Sequence, residues 1–354
     1  MRFLALVSAA LLAACNASPS QPVEVERELS FDPNPEPGFL ESYAATNAFR
    51  LGRPNAIRIV PGGEAVLFLR SGARNFEQDL WIYDVASQEE RVLLTAQQLL
   101  EGGDEVLTAE ELARRERTRS AARGIASYQL SPDGSQILVP LSGRLFLYER
   151  ASGKIRELPS DGGFPIDPRF SPDGKWVAVV RDGDLYVIEL ETGLQRRLTE
   201  RPNAQVTHGV AEFVAQEEMG RMEGYWWSPD GERIAFQRSD ATGVEVHHIA
   251  DPFRPERPPL AFPYPRAGTK NVDVQLGILP LEGGAPTWVE WDRQRYPYLA
   301  SVRWQKDAPL TIYVQKRLQT SAQLLEVDPD SGRTRTILSE KDDAWLNLDT
   351  SVPR

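Results

Sequence analysis

The sequence predicts an all-β fold: a β-propeller of about five blades, its ring incomplete, with two helical insertions. Three observations carry that expectation. A tight-turn motif recurs as Ser131-Pro132-Asp133-Gly134, Ser171-Pro172-Asp173-Gly174 and Ser228-Pro229-Asp230-Gly231, each ahead of an apolar run, with a weaker copy at Val60-Pro61-Gly62-Gly63. Proline presets φ and glycine tolerates positive φ, so each copy delivers the chain into a strand. Next comes an aliphatic-aromatic strand ending in a hairpin turn: LWIYDVASQ from 80, LFLYERASG from 145, LYVIELETG from 185 and LLEVDPDSG from 324. Lastly, the clear turn copies start 40 and then 57 residues apart. Multistrand units at that spacing are the mark of propeller blades, which need neighbours to bury their apolar faces.

The chain opens on MRFLALVSAALLAAC, with one Arg, a short apolar run and small residues before Cys15. Residues 1–15 read as a secretory signal peptide outside the fold. Its end, Leu12-Ala13-Ala14-Cys15, resembles a bacterial lipobox, in which the cysteine becomes the acylated N-terminus; Cys15 is the only cysteine. Lipidation there anchors a protein without spanning the bilayer, so the expected location is the periplasm or the outer membrane. Residues 16–38, rich in Pro, Ser and Glu, read as a flexible tether, and residues 39–354 as the propeller domain.

Within the propeller, residues 94–123 interrupt the strand rhythm and read as helix, with Thr108 as N-cap and Glu111 completing a capping box. The second half of that stretch carries Arg114, Arg115, Arg117, Arg119 and Arg123. The other insertion lies inside the 57-residue gap. There Val210, Phe213, Val214 and Met219 can share one helical face, before YWWSPDGERIAF returns to turn and strand. Residues 252–290 begin as a Pro-rich loop and return to the strand VDVQLGILPLEGG. Residues 297–338 make one further blade, and DDAWLNLD reads as the start of the next.

Composition narrows the function. The 354 residues carry a net charge of −11, which argues against a nucleic-acid surface and suits a cationic ligand. No apolar run after residue 15 approaches the roughly 18 residues a membrane span requires. There are three histidines, His208, His247 and His248. No G-x-S-x-G elbow, H-E-x-x-H, C-x-x-C or P-loop occurs, so no catalytic residue, metal site or cofactor is expected in this chain.

Adjacent Glu217 and Glu218, with Glu212 and Glu223 nearby, are the strongest chemical signal. A solvated helix face accounts for most Glu-Glu pairs. Here the pair sits in an insertion with Phe213, Tyr225, Trp226 and Trp227 around it, and two acids in a partly desolvated pocket form a receptor for a primary ammonium group. Calcium would require further oxygen ligands, and glycosidase chemistry carboxylates at least about 5 Å apart. The arginines of 114–123 fit a basic helix face pairing with Glu110, Glu111 and Glu116. Alternatively, one of them reaches the acid pair and holds a substrate carbonyl.

The run GVAEFVAQEEMGRMEGYWWSPDGERIAF resembles the propeller domain of bacterial dipeptidyl peptidase IV, a serine exopeptidase of the prolyl oligopeptidase class. PYPRAGTKNVDVQLGI is similar to the segment that follows it in that family, and ARRERTR to its helical insertion. The resemblance covers roughly residues 40 to 350. It implies an eight-bladed propeller followed by an α/β-hydrolase domain with Ser, Asp and His, which this chain does not contain. It implies that Glu217 and Glu218 grip the free N-terminal ammonium of a peptide substrate, with Arg115 assisting, and so confine cleavage to the release of dipeptides, Xaa-Pro or Xaa-Ala in that family. On that reading the chain is a substrate-gating portion, inactive alone and open-edged, with homodimerisation a property of the full-length protein. The competing reading is a non-enzymatic, envelope-associated scaffold propeller lipoprotein.

Overall fold

The computed structural model describes residues 38–103, 105–107, 115, 121–256 and 258–349. The described residues divide into two units at the boundary between Ala45 and Thr46. The described part of the first is the helix α1 (Phe39–Ala45), in which Phe39 stacks on Tyr43 one turn later with ring centroids 5.7 Å apart. The signal-peptide and Cys15 expectations, and the tether up to residue 37, lie outside the described residues.

Among the described residues the second unit holds six sheets, five of them successive, mainly antiparallel blades of a propeller and the sixth a two-stranded hairpin. Blade 1 is β1 (Asn55–Ile59), β2 (Ala65–Ser71), β3 (Glu77–Asp84) and β4 (Glu89–Leu94), with the short β5 (Arg123–Gly124) parallel to β3. Blade 2 runs β6 (Gln129–Leu130), β7 (Gln136–Leu141), β8 (Arg144–Glu149) and β9 (Ile155–Glu157). Blade 3 runs β10 (Ile166–Phe170), β11 (Trp176–Arg181), β12 (Asp184–Glu189) and β13 (Gln195–Arg197). In blade 4, β14 (Val206–His208) and β15 (Tyr225–Trp227) share the edge beside β16 (Arg233–Asp240). A separate hairpin, β17 (Val246–Ile249) and β18 (Leu260–Pro263), precedes β19 (Asp273–Pro280) and β20 (Thr287–Trp288). Blade 5 is β21 (Tyr298–Arg303), β22 (Leu310–Gln315), β23 (Ser321–Val327) and β24 (Thr334–Lys341). Among the described residues no strand pairing joins the first and last blades, so the ring is incomplete.

The recurring turns are built as their residue types demand. In blade 3, Ser171 Oγ accepts from Trp176 N at 3.0 Å, while Gly174, at φ +72°, donates its N–H to Ser171 O at 2.9 Å. The same bonds recur at Ser131 and Ser228. The serine hydroxyl and a backbone N–H hold the Asp133 and Asp230 carboxyls below their usual range. The turns also stack from blade to blade. A Cβ on Gly134 would meet Pro61, one on Gly174 would meet Pro132, and one on Gly231 would meet Pro172.

Between each pair of neighbouring blades lies an apolar cluster. Ile137 and Val139 face blade 1, whereas Leu138, between them, faces blade 3, and all three are fully buried. That two-sided burial explains why QILVPL and KWVAVV read as near-continuous apolar runs and not as alternating strands.

Three expectations change. The segment 94–123 is not one helix: α2 (Ala96–Leu99) is capped by a Thr95–Gln98 capping box, Gly102 follows at φ +85°, and residues 123–124 are strand. Thr108 and Glu111 lie outside the described residues. The Pro-rich stretch after 252 is the turn of a β17–β18 hairpin that propensity alone hid. Residues 342–349 carry no strand; Leu346 and Leu348 pack beside blade 5, and Leu346 N donates to Gln319 O at 2.8 Å.

Candidate functional site

The acidic insertion interrupts a single edge strand. On β16, Arg238 pairs with His208 of β14 and Phe236 pairs with Tyr225 of β15, which leaves Gln237 opposite the gap. Gln237 holds both stems: its N–H donates to Gly224 O and its carbonyl accepts from Gly209 N, each at 2.8 Å. Val210 and Glu223 form a bridge just inside. Gly209 takes φ +76°, and a Cβ on Gly224 would lie 2.4 Å from the Gly209 backbone. Two glycines are therefore required at the neck, one for its dihedral and one for its contact.

Inside the loop is one short helix, α3 (Phe213–Glu217). Glu212 caps it, accepting from Val214 N at 2.6 Å and Ala215 N at 2.9 Å. Burial pushes the Glu212 carboxyl up, against the pull of Arg221 and those two N–H groups. The buried stripe is Ala211, Ala215 and Met219, which packs on Ala300, Tyr313 and Ala322 of blade 5. This corrects the expected face. Val210 lies outside the helix and packs between blades 3 and 4, while Phe213 turns to the hairpin, 5.8 Å from the Phe262 ring and 4.9 Å from Tyr264. Met219 and Val214 of the expected face do pack on blade 5, whereas the spacing of apolar residues missed Ala211 and Ala215, whose small side chains carry little signal.

Glu217 and Glu218 lie off that stripe at the C-terminal end of α3 and are both exposed. Among the described residues, the aromatic wall expected around them is not present. Tyr225, Trp226 and Trp227 are instead buried in the clusters flanking blade 4. Neither carboxylate has a hydrogen bond or ion pair among the described residues. The other charged groups of the loop are all engaged. Glu223 accepts from Trp226 Nε1 at 3.2 Å and lies 3.3 Å from Arg169 of blade 3, which is itself held by Asp167. Arg221, buried, donates to Glu223 O, to Gln237 Oε1 at 2.6 Å and to Leu299 O at 2.9 Å. Burial pushes its guanidinium down to about 10 against the pull of Glu212 and Glu223, so it stays charged at neutral pH.

Arg115 is buried, pairs with Glu105 at 2.8 Å and donates to Ala122 O at 2.7 Å. It lines a cavity of about 30 Å³ together with Asp167, the partner of Arg169. Both of these partners belong to its own insertion, and among the described residues no hydrogen bond or ion pair joins it to Glu217 or Glu218. Arg114, Arg117 and Arg119 lie outside the described residues, and Arg123 is exposed on β5. Among the described residues no group of three His, Cys, Asp or Glu is arranged to hold a metal.

His208 is structural. Its Nδ1 lies 2.8 Å from Asp184 Oδ1, which also accepts from Thr199 Oγ1 at 2.9 Å, while Asp184 Oδ2 accepts from Arg197 at 2.7 Å and Arg201 N at 3.1 Å. The network ties blade 3 to β14 at the foot of the insertion. Arg221, Gln237 and the Asp167–Arg169 pair went unread in the sequence. The available signal was the pair of glycines, Gly209 and Gly224, bracketing a charged loop.

Residues 131–354 match the family model of the dipeptidyl peptidase IV N-terminal region. The chain belongs to that family. Among curated proteins it is 26% identical over 183 residues to dipeptidyl peptidase 8 of Mus musculus, a match covering 40% of this chain and 20% of that protein. It is 31% identical over 156 residues to a probable dipeptidyl peptidase 4 of Neosartorya fischeri, with the same two shares, 40% and 20%. The crystal structure of Porphyromonas gingivalis dipeptidyl peptidase 4 superposes with a TM-score of 0.66 at 22% identity, covering 88% of this chain and 43% of that one. The match thus spans about a fifth of the length of these curated relatives and less than half of the solved chain.

Proposed function

We propose that this chain is the substrate-gating propeller of a dipeptidyl peptidase IV-like exopeptidase, and that Glu217 and Glu218 bind the α-ammonium group of a peptide substrate. One observation carries the reading. In a loop whose Glu212, Arg221 and Glu223 are all engaged, the two adjacent carboxylates alone are unpartnered and exposed. Two exposed carboxylates at consecutive positions without a counter-ion favour a cation. The curated relatives named dipeptidyl peptidases support a peptide as the bearer of that cation.

On this reading hydrolysis is the work of Ser, Asp and His residues of a catalytic domain, and these 354 positions by themselves are expected to release no dipeptide. Arg115 serves the reading at one remove: paired with Glu105, it fixes the segment leading into β5 and borders the cavity that Asp167 shares. Export and a lipid anchor at Cys15 complete the reading, which puts the protein in the periplasm or at the outer membrane.

Calorimetric titration of the chain with a short Xaa-Pro peptide, free and N-acetylated, tests the proposal. Exposed charge pairs contribute about 0.2–1 kcal/mol each. With two such pairs, the free peptide is therefore expected to bind about twofold to thirtyfold more tightly than its acetylated form, and Glu217→Gln with Glu218→Gln to erase the difference. Equal affinity for both peptides in the unaltered chain refutes the clamp. A second reading, a non-enzymatic binding propeller, is favoured by one observation: a relative of Mus musculus at 27% identity is named inactive dipeptidyl peptidase 10.

A further inference from the structure

Arg221 has no surface role, since it is buried and its guanidinium points inward. Its donors reach three separate parts of the fold: the carbonyl of Glu223 in the returning stem, the side chain of Gln237 on β16, and the carbonyl of Leu299 on β21 of blade 5. The guanidinium also lies 5.6 Å from the Trp226 ring. Gln237, fully buried, holds both stems of the loop through its backbone and Arg221 through its side chain.

Around α3, then, one cation ties the loop to the blade that carries it and to the next blade. The helix has only one turn and one buried stripe, too little to set its own orientation. Met219, the last member of that stripe, follows Glu218 directly, and Arg221 follows two residues later. A change in how Arg221 is held is transmitted to the acid pair through three peptide bonds.

We infer that Arg221, through Gln237 and Leu299 O, is the positioning residue of the acid pair, setting the carboxylates of Glu217 and Glu218 at the spacing that one ammonium group bridges. The inference rests on the proposed amine clamp. Arg221 touches no substrate; it acts by fixing the backbone that carries the two acids. An arginine suits this task where a lysine does not, because three acceptors in different directions need a planar fork and not a point charge.

The test compares the affinity ratio for a free and an N-acetylated Xaa-Pro peptide in the unaltered chain, Arg221→Met, Arg221→Lys and Gln237→Leu. Arg221→Met and Gln237→Leu are expected to bring the ratio to within about twofold of unity, and Arg221→Lys to retain an intermediate value. Thermal melts report stability separately. Lower melting temperatures with the ratio unchanged in Arg221→Met and Gln237→Leu would show a structural role only and overturn the inference. Should Arg221→Met fail to fold, Gln237→Leu decides, because it leaves the arginine and its bonds to Glu223 and Leu299 in place. A ratio of one in the unaltered chain overturns the clamp itself, and with it the role of Arg221; a preserved ratio in both variants overturns only the latter.

Discussion

Replacing Asp184 with asparagine tests how blade 3 is latched to the strand that carries the acidic loop. The Asp184 side chain is almost fully buried, and its two oxygens meet His208, Thr199, Arg197 and the N–H of Arg201. Burial alone would push this carboxyl up. The hydrogen bonds from His208, Arg197, Arg201 and Thr199 outweigh it and bring the pKa from 3.8 down to about 2. A group whose folded pKa is depressed contributes stability above its unfolded pKa and loses it as pH falls through the folded value. The difference from 3.8 to about 2 corresponds to about 2 kcal/mol at neutral pH, at 1.36 kcal/mol per pH unit. Urea unfolding followed by tryptophan fluorescence, from pH 7 down to pH 2, measures it. Asp184→Asn is expected to be about 2 kcal/mol less stable than the unaltered chain at pH 7, with the gap closing from about pH 5 down to pH 2. A gap that stays constant with pH would refute the argument.

Gly224→Ala is expected to lower stability by about 1–3 kcal/mol through overpacking against Gly209, visible as a lower melting temperature. Ser171→Ala removes the hydroxyl that accepts from Trp176 N and bonds Asp173. It should cost about 1–2 kcal/mol, with the Asp173 carboxyl rising toward its ordinary range by carbon-13 NMR. Glu212→Ala removes the cap of α3 and is expected to cost about 1 kcal/mol, with faster amide exchange at Val214 and Ala215.

The blades were legible because their signals are local. Each SPDG turn depends on three neighbouring side chains and one positive-φ glycine, so four residues suffice to announce it. The position of the acid pair in blade 4 was legible for the same reason, as an extra segment between two copies of a known unit. What surrounds the pair was not. Alanines 211 and 215 carry no hydrophobic signal, yet they form the helix's buried stripe because blade 5 offers Ala300 and Ala322 opposite them. The aromatic run at 225–227 looked like the wall of a pocket, and it is core because β15 completes the edge of a sheet packed on both faces. Arg221 was invisible because its acceptors, Gln237 and Leu299 O, are 16 and 78 residues away.

Carbon-13 NMR of the glutamate carboxyls during titration with a free Xaa-Pro peptide reads whether Glu217 and Glu218 together receive one ammonium group. The Glu217 and Glu218 resonances are expected to shift together along one saturation curve, with Glu212 and Glu223 staying in place and the N-acetylated peptide moving none of them. Shifts absent at Glu217 and Glu218, or equal with both peptides, would contradict the clamp.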